Sequence, residues 1–173
     1  MRTLVYTLST ATVVGLSAVG CSFSFNSGPP TVGKGDLESD ISSRLAEADQ
    51  KPQSVVCSAD LEGVVGKTTT CEVVLSDTNA IEPVVEVTKV EDTTVSYEMT
   101  PALSQAQLEK AVANLVTESA GEEVAGVTCD GGLLGEEGNE TNCSMQLGGE
   151  PLDTVVTVTT VNELLMNFEV NQV

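Results

Sequence analysis

Histidine and tryptophan are both absent from this chain of 173 residues, and its only aromatic side chains are three Phe and two Tyr. Without histidine, the sequence excludes a Ser-His-Asp triad, a Cys-His nucleophile and a histidine-ligated metal. Paired carboxylates can cleave glycosides, and Glu98 and Glu169 occupy equivalent strand positions, but sugar sites usually need aromatic platforms as well. We therefore expect these two acids to face solvent and the protein not to be an enzyme.

Basic residues are scarce as well, with seven Lys and Arg against 26 Asp and Glu and a formal net charge of −19. The first 20 residues contain Arg2 and no acid, so the rest of the chain carries −20 (−19 minus 1). Nucleic acid and bare anionic lipid are poor partners for such a chain. The charge is typical of a soluble exported surface, with cationic ligands or divalent ions as the alternative.

Four acids, Asp130, Glu136, Glu137 and Glu140, surround four glycines in one predicted loop. Carboxylate oxygens bind calcium, yet the order of acids and glycine that defines an EF-hand is missing. We expect a solvated loop, and the sequence predicts neither a metal nor a cofactor.

Four of the five cysteines close two similar windows. Residues 57–71 read CSADLEGVVGKTTTC and residues 129–143 read CDGGLLGEEGNETNC, with six identities in fifteen positions. Unrelated windows of this length share about one identity. The common pattern C-x3-L-x-G-x2-G-x2-T-x-C therefore indicates an internal repeat.

Each window could be closed by a disulfide or could form half of a metal site. Zinc usually takes closely spaced Cys pairs or His, and this chain has no C-x2-C and no His. The sequence therefore predicts two disulfides, Cys57 to Cys71 and Cys129 to Cys143. A bridge that closes about fifteen residues contributes on the order of 3 kcal/mol, which is a large part of the stability of a small domain.

The fifth cysteine, Cys21, follows a basic start at Arg2 and an uncharged apolar run from Leu4 to Val19. That run is too short for a comfortable membrane span and is typical of a signal peptide. Its end, Leu16-Ser-Ala-Val-Gly-Cys21, resembles the bacterial lipobox, in which the cysteine thiol receives a diacylglycerol before cleavage on its N-terminal side. The resemblance implies lipidation of Cys21 after removal of residues 1–20. The alternatives are ordinary secretory cleavage with a free thiol, and an uncleaved anchor.

The residues after the signal define the expected domain boundaries. Residues 21–32 contain Ser, Gly and Pro without hydrophobic periodicity, which predicts a lipidated cysteine followed by a flexible tether. Beyond the tether we expect the first repeat at 33–99, a short linker at 100–102 and the second repeat at 103–173.

Each repeat begins with apolar residues at helical spacing, around Leu37 in the first and Leu108 in the second. Ser104 and Gln107 form a capping-box pattern at the start of the second helix, and alignment of the repeats puts Gly33 at the first N-cap. Strand-like segments follow each helix, and four glycines within the cysteine windows are expected to supply turns with positive φ: Gly63, Gly66, Gly135 and Gly138.

The repeat extends past the cysteine windows. Residues 84–99 and 155–170 share six identities in sixteen positions, and these segments contain Tyr97 and Phe168, which we expect to be core aromatics. The predicted fold class is α+β: two tandem repeats, each with one N-terminal helix packed on a four-stranded antiparallel sheet and one internal disulfide.

The lipobox, the polar tether, the Leu-Glu pairs at 37–38 and 108–109 and the two cysteine windows together resemble an uncharacterised domain family of actinobacterial lipoproteins and secreted proteins. The resemblance covers about 33–99 and 103–173. It implies export and a small α+β fold closed by disulfides, and it implies no catalytic residues.

These features predict a protein anchored through Cys21 to the outer face of the cell membrane. We expect it to bind another envelope protein or an envelope component through an exposed sheet or loops. The alternative is a carrier of lipid or glycolipid, which needs an apolar cavity larger than roughly 300 Å³ within or between the repeats.

Overall fold

The computed structural model describes residues 28–76 and 78–173. The predicted signal peptide, the lipobox and Cys21 lie outside the described residues. Among those residues, no helix is both long enough and apolar enough to cross a membrane.

The two repeats contain the same order of elements. Those of the first repeat are β1 (Thr31–Val32), α1 (Lys34–Glu47), β2 (Ser54–Cys57), β3 (Leu61–Glu62), β4 (Thr68–Ser76), β5 (Asn79–Ile81), β6 (Val84–Glu91) and β7 (Thr94–Thr100). Those of the second repeat are β8 (Ala102–Leu103), α2 (Gln105–Ala120), β9 (Val124–Cys129), β10 (Leu133–Leu134), β11 (Glu140–Leu147), β12 (Glu150–Asn162) and β13 (Leu165–Gln172). The first repeat differs in having the additional short strand β5.

The long strands of each repeat form an antiparallel sheet. Its order is β2-β4-β6-β7 in the first repeat, with β5 also paired to β4, and β9-β11-β12-β13 in the second. Each repeat also has a two-stranded pair, β1 with β3 and β8 with β10. The prediction of two tandem units with mostly antiparallel sheets and two helices is confirmed, and the short pairs and β5 are additions to the predicted layout.

A proline explains why the first repeat has β5 and β6 where the second has the single strand β12. Pro83 lies between β5 and β6, and its carbonyl oxygen accepts a hydrogen bond from the backbone N–H of Cys71 at 3.1 Å. Proline has no N–H to donate to a neighbouring strand, so the strand is interrupted there. At the equivalent position of the second repeat, Thr154 continues β12 opposite Cys143.

Both predicted disulfides are present. Cys57 faces Cys71 across β2 and β4, and Cys129 faces Cys143 across β9 and β11. The Cα atoms lie 3.8 Å apart in the first bridge and 4.0 Å apart in the second, and all four residues are buried. Each bridge therefore ties the edge strand of a sheet to its neighbour at the same position of the repeat.

The helices bury most of the apolar residues that the sequence placed on their inner faces, although Leu115 of α2, expected in that stripe, is exposed. Leu37, Ile41 and Leu45 of α1 are at most 1% exposed, and Leu108 and Val112 of α2 are fully buried. They belong to one hydrophobic cluster with inward-facing strand residues, which include Val73, Val85, Val87, Val156 and Val158. Because the cluster contains residues of both repeats, the two units have a continuous core.

The helix starts also agree with the sequence. Gly33 is the N-cap of α1 and Ser104 is the N-cap of α2. The backbone N–H of Ser104 donates to Gln107 Oε1 at 3.0 Å, which is half of the predicted capping box. At the other end of α2, Gly121 has a φ of 68° and terminates the helix.

The glutamates that follow Leu37 and Leu108 connect each helix to the strand that carries the first bridge cysteine. Glu38 Oε1 accepts a hydrogen bond from the backbone N–H of Cys57 at 3.0 Å, and Glu109 Oε1 accepts one from Cys129 at 3.0 Å. Two hydrogen bonds hold the pKa of Glu109 below its usual range. The bond from Cys129 has the larger effect, and the bond from Gln105 Nε2 at 2.9 Å has the smaller one. In each Leu-Glu pair, the leucine packs in the core and the glutamate forms a hydrogen bond to the sheet.

Each cysteine window has two glycines at matching positions, Gly63 and Gly66 in the first and Gly135 and Gly138 in the second, and only the later one has the expected positive φ, at 83° for Gly66 and 82° for Gly138. The first glycine is required for close packing instead. A Cβ on Gly63 would lie 2.5 Å from the carbonyl oxygen of Pro30, and one on Gly135 would lie 2.6 Å from that of Pro101. Both N–H groups donate to these same oxygens, at 2.6 Å and 2.7 Å.

Strand pairing extends into both segments that were expected to be connectors. Thr31 and Val32, expected in the tether, pair with β3. In the expected linker, Thr100 ends β7 and Ala102 begins β8. The Ala102 carbonyl oxygen accepts a hydrogen bond from Glu82 N–H at 2.7 Å, while β8 pairs with β10. The expected linker therefore joins two strands through Pro101, and Ala102 is bonded to both repeats.

Candidate functional site

The edge where α1 meets β7 contains a polar group of three side chains. The hydroxyl of Tyr97 donates to Asp40 Oδ2 at 2.9 Å, and Arg44 Nε lies 3.3 Å from the same oxygen. Arg44 Nη1 also lies 3.8 Å from Glu163 Oε2 in the second repeat. We name Asp40, Arg44 and Tyr97 the edge cluster, and it connects the helix to the last strand of its sheet.

Burial and then the hydrogen bond to Asp40 raise the pKa of Tyr97 to about 12. The phenol is consequently a stable hydrogen-bond donor at neutral pH. Tyr97 and its counterpart Phe168 were expected in the two cores, but both are only half-buried and pack at the margin of the hydrophobic cluster. They lie at the helix-to-sheet edge because their strands, β7 and β13, are the outer strands of the sheets.

In the second repeat, Ala111, Leu115 and Phe168 occupy the positions of Asp40, Arg44 and Tyr97. The equivalent edge therefore has no carboxylate, guanidinium or hydroxyl at these three positions. Leu115 is 37% exposed, which is uncommon for a large apolar side chain in the part of the chain that the structure describes. The edge that is polar in the first repeat is thus apolar in the second.

Two hollows have Phe168 in their lining. The first has a volume of about 400 Å³ and lies between the repeats, where β4 and β5 face α2 and β13. Its apolar lining is Val74, Ala80, Ile81, Leu103, Ala106, Ala111, Met166 and Phe168. The second has a volume of about 530 Å³ and lies among α2, β12 and β13. Its apolar lining is Leu115, Val116, Ala120, Leu152, Phe168 and Val170.

We name the two hollows together the Phe168 cleft. Its polar side chains include Glu72, Gln107 and Lys110 in the first hollow and Glu169 in the second. A ligand that covers the apolar walls gains roughly 25 cal/mol for each Å² removed from water. The arrangement suits an amphiphilic ligand, with its apolar part against Phe168 and its polar part towards these polar side chains.

The acid-rich loop is separate from the residues that line the cleft. Glu136 and Glu137 are exposed at its tip, whereas Asp130 and Glu140 accept hydrogen bonds from neighbouring side chains at 3.1 Å and 3.2 Å. Within residues 28–76 and 78–173, no group of three or more His, Cys, Asp or Glu side chains is arranged to hold a metal ion.

The residues that sequence reasoning proposed and those that line the cleft are different sets. The four bridge cysteines are paired as predicted, and Cys21 is not among the described residues. Glu98 is exposed on β7, and the equivalent Glu169 borders the second hollow. The cleft itself was missed. Its signal was present in the aligned repeats, as the loss of polar groups at three positions.

The family described as "Domain of unknown function (DUF4333)" matches the chain twice, over residues 16–92 and 93–163. No curated protein and no solved structure matches the chain significantly. Each match contains one cysteine window, and the boundary between the matches falls between β6 and β7. The chain therefore belongs to the DUF4333 family and carries this domain of unknown function in two tandem copies.

Proposed function

We propose that this protein is a non-catalytic, lipid-anchored module of the cell envelope that binds the apolar part of another envelope component in the Phe168 cleft. The observation that carries the proposal is the replacement of the edge cluster by Ala111, Leu115 and Phe168 on the same fold. The polar groups of the first edge bond to one another, which leaves them fewer hydrogen bonds for a partner. An apolar edge with adjoining hollows has surface to bury.

The dimensions and chemistry of the cleft support a binding role. Hollows of about 400 Å³ and 530 Å³ fall within the range of sites that hold small ligands. Their walls are mainly apolar, and a few polar groups at the margin would fix the orientation of a ligand. A chain without histidine also lacks the commonest general acid and base.

The lipid anchor rests on sequence and on the pairing of the other cysteines. Cys57 is bonded to Cys71 and Cys129 to Cys143, so Cys21 is the one cysteine that neither bridge uses. It follows an apolar run that resembles a lipobox. Acylation at Cys21 would hold the module on the outer face of the membrane, near envelope lipids and proteins, more firmly than a single acyl chain does.

A lipid or glycolipid carrier is the second candidate. The two hollows share Phe168, and each exceeds the roughly 300 Å³ expected of a ligand cavity. A carrier would transfer a fluorescent phospholipid between vesicles at a rate that rises with protein concentration. A binding module would hold an acyl ligand without accelerating its transfer.

The binding proposal is tested by giving the second repeat the edge of the first. The triple variant Ala111→Asp, Leu115→Arg, Phe168→Tyr places polar groups in the apolar walls of both hollows, so its affinity for a fluorescent acyl-chain probe should fall at least about tenfold. The matched control is Asp40→Ala, Arg44→Leu, Tyr97→Phe, which changes the same positions of the first repeat. This control should bind the probe at least as well as the unmodified chain.

Two results would contradict the proposal. One is a triple variant of the second repeat that remains folded and binds the probe as the unmodified chain does. The other is an equal loss in a control that remains folded, which would show that binding does not depend on the edge of the second repeat. The anchor is tested separately, because a Cys21→Ala protein that still partitions with membranes excludes lipidation as the means of attachment.

A further inference from the structure

The loop that joins β3 to β4 has the same backbone as the loop that joins β10 to β11. In each loop the second glycine has a positive φ, and its N–H donates to a carbonyl oxygen of β6 at 2.9 Å in the first repeat or of β12 at 2.8 Å in the second. In each loop the first glycine packs against the proline that precedes its repeat. The two residues between the glycines can therefore differ without changing the fold.

These two residues differ strongly in chemistry. The first repeat has Val64 and Val65, which are 43% and 63% exposed. The second has Glu136 and Glu137 at the equivalent positions, also exposed. An adjacent pair of exposed valines, on a backbone that accepts two glutamates, indicates a surface that contacts something apolar.

This apolar tip lies beside the point where the chain enters the fold. Gly63 N–H, next to Val64, donates to the Pro30 carbonyl oxygen at 2.6 Å. Pro30 follows Cys21 by nine residues, which can span at most about 32 Å. With a lipid on Cys21, this end of the first repeat is held within that distance of a bilayer.

We propose that Val64 and Val65 enter the headgroup region of the bilayer and fix the orientation of the first repeat on the membrane. This inference rests on the proposed anchor at Cys21. Beside the tip, Lys67 Nζ lies 3.8 Å from Glu62 Oε2, and both side chains are more than half exposed, so they can remain at the level of water. The net charge of −19 opposes anionic lipid, so the partner is a zwitterionic lipid surface.

The anchor and the valine pair have different tasks. Two valines are too little apolar surface to hold a protein on a membrane alone. Once a covalent lipid keeps the loop close to the surface, however, a weak contact becomes effectively intramolecular. The valine pair then selects which face of the protein meets the bilayer.

The absence of tryptophan makes the test direct. Val65→Trp introduces the only tryptophan of the chain, beside Val64, and Glu137→Trp introduces the only one at the equivalent position of the second repeat. The full-length lipoprotein is reconstituted into phosphatidylcholine vesicles with ordinary or brominated acyl chains. Val65→Trp should be about twofold dimmer in brominated vesicles, since interfacial side chains lie roughly 5–10 Å into the headgroup boundary. Glu137→Trp should be equally bright in both.

Adding Val64→Glu to Val65→Trp should abolish the quenching while the protein still floats with the vesicles. A protein that floats without quenching at position 65 overturns the membrane contact and leaves the anchor intact. A protein that does not float shows that the anchor is wrong. In that case the Cys21 thiol is coupled to a maleimide lipid, and the quenching measurement is repeated. Quenching at position 65 then supports the membrane contact, and its absence overturns it.

Discussion

The two repeats use the same edge in opposite ways. In the first, the phenol of Tyr97 bonds to Asp40 and closes the edge with polar contacts. In the second, Phe168 and Ala111 leave the edge apolar and bordered by hollows. The difference shows that a polar edge is not needed to form this fold, because the second repeat builds its sheet without one.

Other features are the same in both repeats. Each has a bridge between an edge strand and its neighbour, a helix glutamate that accepts the N–H of the first bridge cysteine, and a glycine packed on a proline. Features found in both copies are those that the fold needs. The features that differ are the helix-to-sheet edge and the loop residues Val64 and Val65, and these can acquire different functions without loss of the fold.

The largest effect should come from the disulfides, which the comparison treats as equivalent. Replacing Cys57 and Cys71 by Ser, or Cys129 and Cys143 by Ser, should lower the free energy of unfolding by about 3 kcal/mol in each case. The two losses should be similar because both bridges join residues 14 positions apart. Chemical denaturation measures them. If loss of one bridge has almost no effect, the repeats are not equivalent in stability.

The packed glycines should have the next largest effect. Gly63→Ala and Gly135→Ala each place a Cβ against a backbone oxygen, which should cost about 1–3 kcal/mol. Gly131→Ala is the control, since its Cβ meets nothing within 4 Å. Thermal unfolding should separate the two packed sites from the control. Equal melting temperatures for all three variants would mean that the backbone adjusts freely at these turns.

Much of this fold could be predicted from local sequence. Repeated cysteine spacing predicted both bridges, and helical periodicity with Gly33 and Ser104 located both helix starts. These features depend on residues close together in the chain. The close approach of Gly63 to Pro30 was missed, because it depends on contact between segments more than thirty residues apart.

The cleft was missed for a related reason. A pattern of apolar residues cannot distinguish an aromatic side chain in the core from one at the margin. The sequence around Phe168 is compatible with either position. What determines its exposure is which strand lies at the outside of the sheet and what faces it from α2. Comparison of the two repeats, position by position, would have marked the site even so.

Removing the Tyr97 hydroxyl should have a smaller effect than the glycine variants. Tyr97→Phe loses the hydrogen bond to Asp40, which should cost about 1 kcal/mol in unfolding free energy at neutral pH. Phe168→Tyr is the matched control, because Ala111 offers its hydroxyl no acceptor at the equivalent position. A stabilising effect of Phe168→Tyr would mean that another group at that edge can replace Asp40.

Tyr97 also predicts the alkaline behaviour of the protein. Its pKa is raised from 10.0 to about 12, so the unfolded chain loses the phenolic proton before the folded one does. The stability that Tyr97 contributes is complete below pH 10 and is lost as the pH rises towards 12. Denaturation of the unmodified chain across this interval should show the decline, and Tyr97→Phe should lack that component.

The smallest effect concerns Glu109, whose pKa is lowered by the hydrogen bond from Cys129 and then by that from Gln105. Because the pKa is lowered on folding, the stability that Glu109 contributes is complete above pH 4.5 and is lost as the pH falls through the pKa of the folded state.

Glu109→Gln keeps an oxygen acceptor but removes the charge, so it should be slightly less stable than the unmodified chain at neutral pH and equal to it in acid. Glu109→Ala removes the acceptor as well, so part of its deficit should persist in acid. Thermal unfolding from neutral to acidic pH compares the three, and a Glu109→Gln deficit that grows in acid would contradict the role of the charge.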